Sequence, residues 1–180
     1  MNSINSINSI DPGSGELSGC SMPLIEEEIA RLLHEKRLTL GAVESATGGL
    51  VSYRITNVPG SSEYFKGAII AYSNEIKIKV VGVKPETINN NGAVCGDTAE
   101  EMAAGGRKVL NVDICVADTG IAGPGGATQG KPVGLFYLGL AHKGGTFSRK
   151  SVFIGTREQN KQGAAEAALS WVKEYLQSLK

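Results

Sequence analysis

Apolar positions recur along this chain with two different periods. From Pro23 the spacing is helical: Leu24, Ile25, Ile29, Leu32 and Leu33 share one face. Glu26, Glu27 and Glu28 stand at the start of that pattern, where the helix dipole favours acids. Short apolar runs at 39–43, 67–71 and 113–118 predict buried strands. Between them, 47–58 predicts a helix ended near Pro59-Gly60, 74–81 a short helix, and Pro85 a turn. Asp97-Thr-Ala-Glu100 resembles a capping box and opens a predicted helix to about Leu110. Residues 132–141 and 148–154 predict two strands joined by a hairpin turn at Lys143-Gly-Gly145. Thr156-Arg-Glu-Gln159 is a second capping box, and the Ala-rich helix it opens carries Leu169, Val172 and Leu176 to the end.

Strands alternating with helices, with one late hairpin, predict a layered α/β domain around a mixed sheet. The loops 44–49 and 119–131 both follow strand ends. They should lie at one edge of the sheet, where open α/β sheets bind ligands. Residues 1–22 stand apart: Asn-Ser-Ile repeats three times before Asp-Pro-Gly-Ser-Gly. So little apolar content reads as a disordered leader or an added tail. The domain is then 23–180.

Composition narrows the chemistry. The 180 residues carry 18 Lys+Arg against 18 Asp+Glu, a formal net charge of +0. A chain without basic excess is a poor nucleic-acid binder. The apolar runs are shorter than a membrane span, and no early segment joins a basic start to an apolar run. Cys20, Cys95 and Cys115 match no zinc spacing, and an odd cysteine count suits a reducing, cytoplasmic setting. His34 and His142 are the only histidines and leave little scope for a metal site or a Ser-His triad. Glycine is in excess, with 24 residues and a cluster at 120–130, which points to tight turns where backbone can approach a ligand.

Three segments carry candidate chemistry. Gly125 to Lys131 satisfies the first seven positions of a P-loop, but Pro132 replaces the magnesium-binding hydroxyl, and a strand follows where a helix is needed. The segment is either a structural turn or a backbone-lined wall for a polar ligand. In Glu44-Ser45-Ala46-Thr47-Gly48-Gly49, Ser45 stands where a nucleophile would be exposed at a helix start. The amides of Thr47, Gly48 and Gly49 would face an oxyanion there. The plainer alternative is that Ser45 or Thr47 caps the helix. Tyr72 ends a strand and Lys77 follows five residues on; a desolvated lysine there could act as a base, or could simply be a solvated helix lysine. Cys95 and Cys115 read as packing residues and His34 and His142 as surface residues. Arg157 reads as a phosphate ligand or an exposed ion-pair partner.

Six segments in order resemble one family: 44–49, Pro-Gly-Ser-Ser at 59–62, Gly-Ala-Ile-Ile-Ala-Tyr-Ser-Asn at 67–74, Gly-Ala-Val at 92–94, Thr-Gly-Ile-Ala-Gly-Pro-Gly-Gly at 119–126 and Lys-Pro-Val-Gly at 131–134. The chain is similar, over about residues 24–178, to the C-terminal domain of the CinA competence/damage-inducible proteins, which include nicotinamide-nucleotide amidases. The resemblance implies a three-layer α/β/α single domain with a mixed, mostly parallel sheet. It implies hydrolysis of the carboxamide of nicotinamide mononucleotide, no cofactor, metal-independent chemistry and homo-oligomers. By motif, Ser45 becomes the nucleophile and Tyr72 and Lys77 its activating partners. On the same reading Thr119, Gly120, Ile121, Ala122, Gly123, Gly125 and Gly126 line the nucleotide pocket, and Lys131 or Arg157 meets the phosphate. Ala46 stands where the family commonly has Cys, and Cys95 where Ser is commoner. The N-terminal domain of two-domain members is not encoded in 1–22. A non-catalytic nucleotide-binding module and an amidase for a different small amide are the alternative functions.

Overall fold

The computed structural model describes residues 23–179, so the leader expected at 1–22 lies outside them. The chain runs α1 (Ile25–Lys36), β1 (Leu40–Glu44), α2 (Leu50–Thr56), a 3-10 turn (Ser61–Glu63), β2 (Phe65–Ile70), α3 (Asn74–Ile76), a π-helical turn (Lys77–Val81), α4 (Pro85–Asn91), α5 (Gly96–Leu110), β3 (Ile114–Gly120), β4 (Leu135–His142), β5 (Gly145–Val152) and α6 (Arg157–Ser178). The five strands form one sheet in the order β2-β1-β3-β4-β5. β1 pairs parallel with both β2 and β3, and β4 runs antiparallel to β3 and β5. Four strands therefore point one way, and only β4 opposes them.

Strand alternation divides the core into two layers of contact. Leu40 and Ala42 of β1, Ile114 and Val116 of β3, and Leu138 and Leu140 of β4 face α1, α2 and α6 through Ile29, Leu33, Ile55, Leu169 and Val172. Val43, Cys115 and Ala117 face the other way, against Met102 and Ala103 of α5 and against Val81 and Val83. This is the three-layer α/β/α arrangement. Arg54 ties the first layer together at its surface, donating through Nε to Glu26 of α1 and pairing Nη2 with Glu166 of α6 at 2.7 Å.

α5 packs unusually close to its neighbours. A Cβ on Gly105 would lie 1.7 Å from the Val81 carbonyl oxygen, and one on Gly106 2.2 Å from Val43 Cγ2. The glycine pair lets the helix rest directly on β1 and on the π-helical turn.

Several boundaries differ from the pattern-based expectation, each for a local reason. Gly48 and Gly49 take φ of +64° and +102°, so α2 begins at Leu50 and residues 45–49 form a turn. Pro85 does not mark a turn; it sits at the first position of α4, where its fixed φ suits a helix start. α5 is capped by the Cys95 side chain, which accepts from the Thr98 amide at 3.4 Å, and the Asp97 box is not used. The Thr156 box forms as expected, with reciprocal bonds to Gln159.

Candidate active site

β1, β2 and β3 all end at the same edge of the sheet, and their following loops meet there. Ser45 is the first residue after β1. Ala71 and Tyr72 follow β2, and the chain then turns into α3 and the π-helical segment that carries Lys77. The wider winding of that segment aims Lys77 inward; only 2% of the residue is exposed. Single π turns inside helices recur at functional sites.

Lys77 Nζ lies 2.8 Å from Ser45 Oγ, 2.7 Å from the Ala71 carbonyl oxygen and 3.5 Å from that of Tyr72. The two carbonyls can take two amine hydrogens, which leaves the third position of the nitrogen for the serine hydroxyl. Burial pulls Lys77 below the ordinary lysine range, while the nearby Asp118 carboxylate pulls it back up. The structure thus brings together the two residues required for a serine–lysine pair.

A second group of polar side chains supports Ser45 from the opposite face of the sheet. Asp118 of β3 is 1% exposed. Its Oδ2 accepts from the Ser45 amide at 3.2 Å, and its Oδ1 from the Thr47 amide at 3.0 Å. Burial raises Asp118 to about 6, and the Glu44 charge adds to that shift, against the hydrogen bonds from Thr47 and Ser45. Glu44 accepts from the amides of Gly49, Val51 and Ser52 at 2.8, 3.1 and 2.9 Å, and from Ser52 Oγ. These contacts pin both ends of the 45–49 turn.

Of the three amides expected to face an oxyanion, those of Thr47 and Gly49 are donated to Asp118 and Glu44, while Gly48 is exposed and its amide makes no hydrogen bond among the described residues. Among the described residues, the amide of Ala46 makes no hydrogen bond, and Ala46 lines the cavity beside Ser45. Tyr72 is 63% exposed, and its hydroxyl accepts from Arg157 Nη2 at 3.1 Å rather than meeting Lys77.

The cavity over Ser45 holds about 290 Å³ and is walled by Ser45, Tyr72, Asn74, Lys77, Ala93, Val94 and Arg157, with Thr119, Gly120, Ile121, Ala122, Gly123, Gly125 and Gly126 along one side. The expected loop therefore does line it. Thr119 lines it with its hydroxyl turned away, donating to the Ala93 carbonyl at 2.7 Å. Lys131 is not in the wall; its Nζ donates to the Asn91 carbonyl at 2.5 Å, behind the 92–94 loop. Arg157 stands at the mouth and donates from Nη1 to the Gly123 carbonyl at 2.7 Å. Past it opens a wider cleft of about 610 Å³, bounded by Gly48, Tyr53, Arg157 and Lys161. Lys161 escaped the sequence reading, although four residues from Arg157 on α6 places it on the same helix face. Asp118 and Glu44 escaped it as well, because nothing local in the sequence shows that neighbouring strands set them side by side.

Among the described residues no group of three His, Cys, Asp or Glu side chains gathers where it could hold a metal ion. No helix among them is long and apolar enough to cross a membrane. Cys115 is buried, which pushes its thiol up to about 12, and Cys95 serves α5 as a cap.

Comparison with known proteins gives a consistent result. The CinA C-terminal domain family matches residues 23–176. A competence-damage inducible protein of Halothermothrix orenii is 48% identical over 153 residues, 84% of this chain and 37% of that protein. A CinA-like protein of Chloroherpeton thalassium is 46% identical over 159 residues, 86% of this chain and 38% of its own length. The chain thus spans a little over a third of these relatives. The crystal structure of the competence damage-inducible protein A of Klebsiella pneumoniae superposes with a TM-score of 0.84 at 28% identity, covering 87% of this chain and 97% of that one. The sheet order, the strand-end loops and these matches agree that the chain belongs to the CinA C-terminal domain family.

Proposed function

We propose that this domain is an amidohydrolase acting on a linear carboxamide, with Ser45 as nucleophile and Lys77 as base, and that its substrate is nicotinamide mononucleotide. The observation that carries the reading is the buried 2.8 Å contact between Lys77 Nζ and Ser45 Oγ at the floor of a cavity. A lysine removed from water loses the advantage of its charge and can accept the serine proton. Ser45 Oγ then attacks the carboxamide carbon. The Ala46 amide, next to the nucleophile, is placed to donate to the oxygen that gains charge. Lys77 returns the proton to the departing ammonia, and water resolves the ester to nicotinate mononucleotide.

Cavity dimensions support a nucleotide. The inner space lies near the lower end of the roughly 300–1,000 Å³ of small-molecule sites and suits a single ring with its carboxamide. The ribose phosphate extends into the outer cleft, where Arg157 and Lys161 supply positive charge. Release of ammonia from nicotinamide mononucleotide, without added metal, tests the reading against Ser45→Ala. Turnover by the native protein that vanishes in the variant supports it. Undiminished turnover in Ser45→Ala rules out the nucleophile, and a native protein without turnover rules out the substrate.

A further inference from the structure

Beneath Ser45 the Thr47 hydroxyl bridges two carboxyl groups. Its Oγ1 is 2.7 Å from Glu44 Oε2 and 2.5 Å from Asp118 Oδ2. A hydroxyl has one hydrogen, so it can donate to only one of these oxygens. If both carboxyls were ionised, the other would face a hydroxyl lone pair at hydrogen-bond distance, in a place closed to water. Two contacts of this length need a second hydrogen, and a carboxyl must supply it. Glu44 is the carboxylate of the two: three amides and the Ser52 hydroxyl donate to it. Asp118 is then the acid. It donates to Thr47 Oγ1, and Thr47 donates to Glu44.

Asp118 and Lys77 flank Ser45 from opposite faces of the sheet, one bonded to its amide and the other to its hydroxyl. Few charges compete for influence over this pair. Among the described residues Glu44 is the only acid beside Asp118, β4 places Leu138 opposite it, and Arg157 and Lys161 of α6 stand out at the cavity mouth. While Asp118 keeps its proton it exerts no charge on Lys77; once ionised, it favours the Lys77 ammonium.

We propose that Asp118 is a positioning residue that sets the charge of Lys77: it holds the Ser45 turn through two amide bonds, shares one proton with Glu44 through the Thr47 hydroxyl, and on losing that proton holds Lys77 as the ammonium. The control over Lys77 bears on catalysis only if Ser45 is the nucleophile described above, whereas the shared proton does not depend on that reading. The raised Asp118 acidity range agrees with it in direction.

Two measurements on the full chain test it. Carboxyl-labelled aspartate allows the side-chain carbon shift of Asp118 to be followed from pH 4 to 8. Ionisation of Asp118 near 6 is expected; ionisation below about 5, in the ordinary carboxylate range, overturns the shared proton. The second is the pH dependence of Ser45 modification by a fluorophosphonate, in which the Oγ–P bond forms, the P–F bond breaks, fluoride leaves and the hydroxyl proton passes to Lys77. In Asp118→Asn the midpoint of the rate profile should fall by about one pH unit, because a fixed neutral group no longer favours the ammonium. A merely structural role would lower the plateau and leave the midpoint in place, and that result overturns the control of Lys77. Failure of the native chain to react overturns the nucleophile and with it the control of Lys77, and leaves the carboxyl titration to decide the shared proton.

Discussion

Tyr72 and Arg157, 85 positions apart, meet hydroxyl to guanidinium at 3.1 Å and close one side of the cavity over Ser45. The contact joins the segment after β2 to the first turn of α6. It also uses one face of Arg157, while its other nitrogen holds the Gly123 carbonyl. A phosphate-bearing substrate of the kind proposed would therefore meet an arginine already fixed in place, which lowers the entropy cost of gripping a phosphate.

Arg157→Ala and Lys161→Ala should each raise the KM for nicotinamide mononucleotide by about tenfold, in line with the 1.5–3 kcal/mol of a charge-assisted bond. The turnover number should change far less. Nicotinamide riboside, which lacks the phosphate, should show little difference between these variants and the native protein. Equal losses on both compounds would place the cations elsewhere in the reaction.

Tyr72→Phe should keep the turnover number within a few-fold of native, because its hydroxyl does not reach Lys77. Lys77→Ala should lower the rate by about 10²–10⁴, the usual worth of a positioned base. Lys77→Arg should be no better, since a guanidinium keeps its proton at any working pH. Steady-state ammonia release measures all three. A Tyr72→Phe loss as deep as that of Lys77→Ala would return the tyrosine to the proton path.

Asp118 should leave a mark on stability against pH. Its ordinary value of 3.8 in the unfolded chain rises to about 6 in the folded one. The native state therefore holds an extra proton between those values. The stabilisation from the protonated form is complete below about 3.8 and is lost as pH rises through about 6. Urea midpoints taken from pH 4 to 7 should fall across that window from this residue, and Asp118→Asn should flatten the decline. An unchanged slope in the variant would mean that Asp118 ionises normally.

Cys95→Ser should preserve or raise stability by a few tenths of a kcal/mol up to about one. Serine is a stronger N-cap than a thiol whose sulfur sits 3.4 Å from the Thr98 amide. Thermal unfolding decides it, and a marked drop would show that sulfur packing outweighs the cap.

Much of this domain was legible in sequence because its signals are local. The Thr156 box marked the start of α6 correctly, and the apolar runs of β1 and β3 fell where the strands form. Ser45 and Lys77 could be named from their places after strand ends and from the family motif. What could not be read depends on non-local pairing or on backbone handedness. Asp118 and Glu44 become partners only when parallel strands set them side by side. Lys131 follows the glycine-rich loop in sequence, yet its side chain is drawn to Asn91 and away from the cavity. Two successive left-handed glycines delay α2 by three residues, which leaves the Ser45 turn outside the helix.

The glycine pair of α5 has a consequence for how the domain assembles. Adjacent glycines weaken a helix by about 1 kcal/mol apiece relative to alanine, so residues 96–110 draw their order from what they lean on. The π-helical turn lies directly against Gly105, with no side chain between. The lysine on that turn can reach its serine only after the helix has docked on the sheet. Folding and chemical competence should therefore arrive as separate events: a domain with its sheet formed and α5 still loose would look largely native by circular dichroism and yet leave Ser45 unreactive.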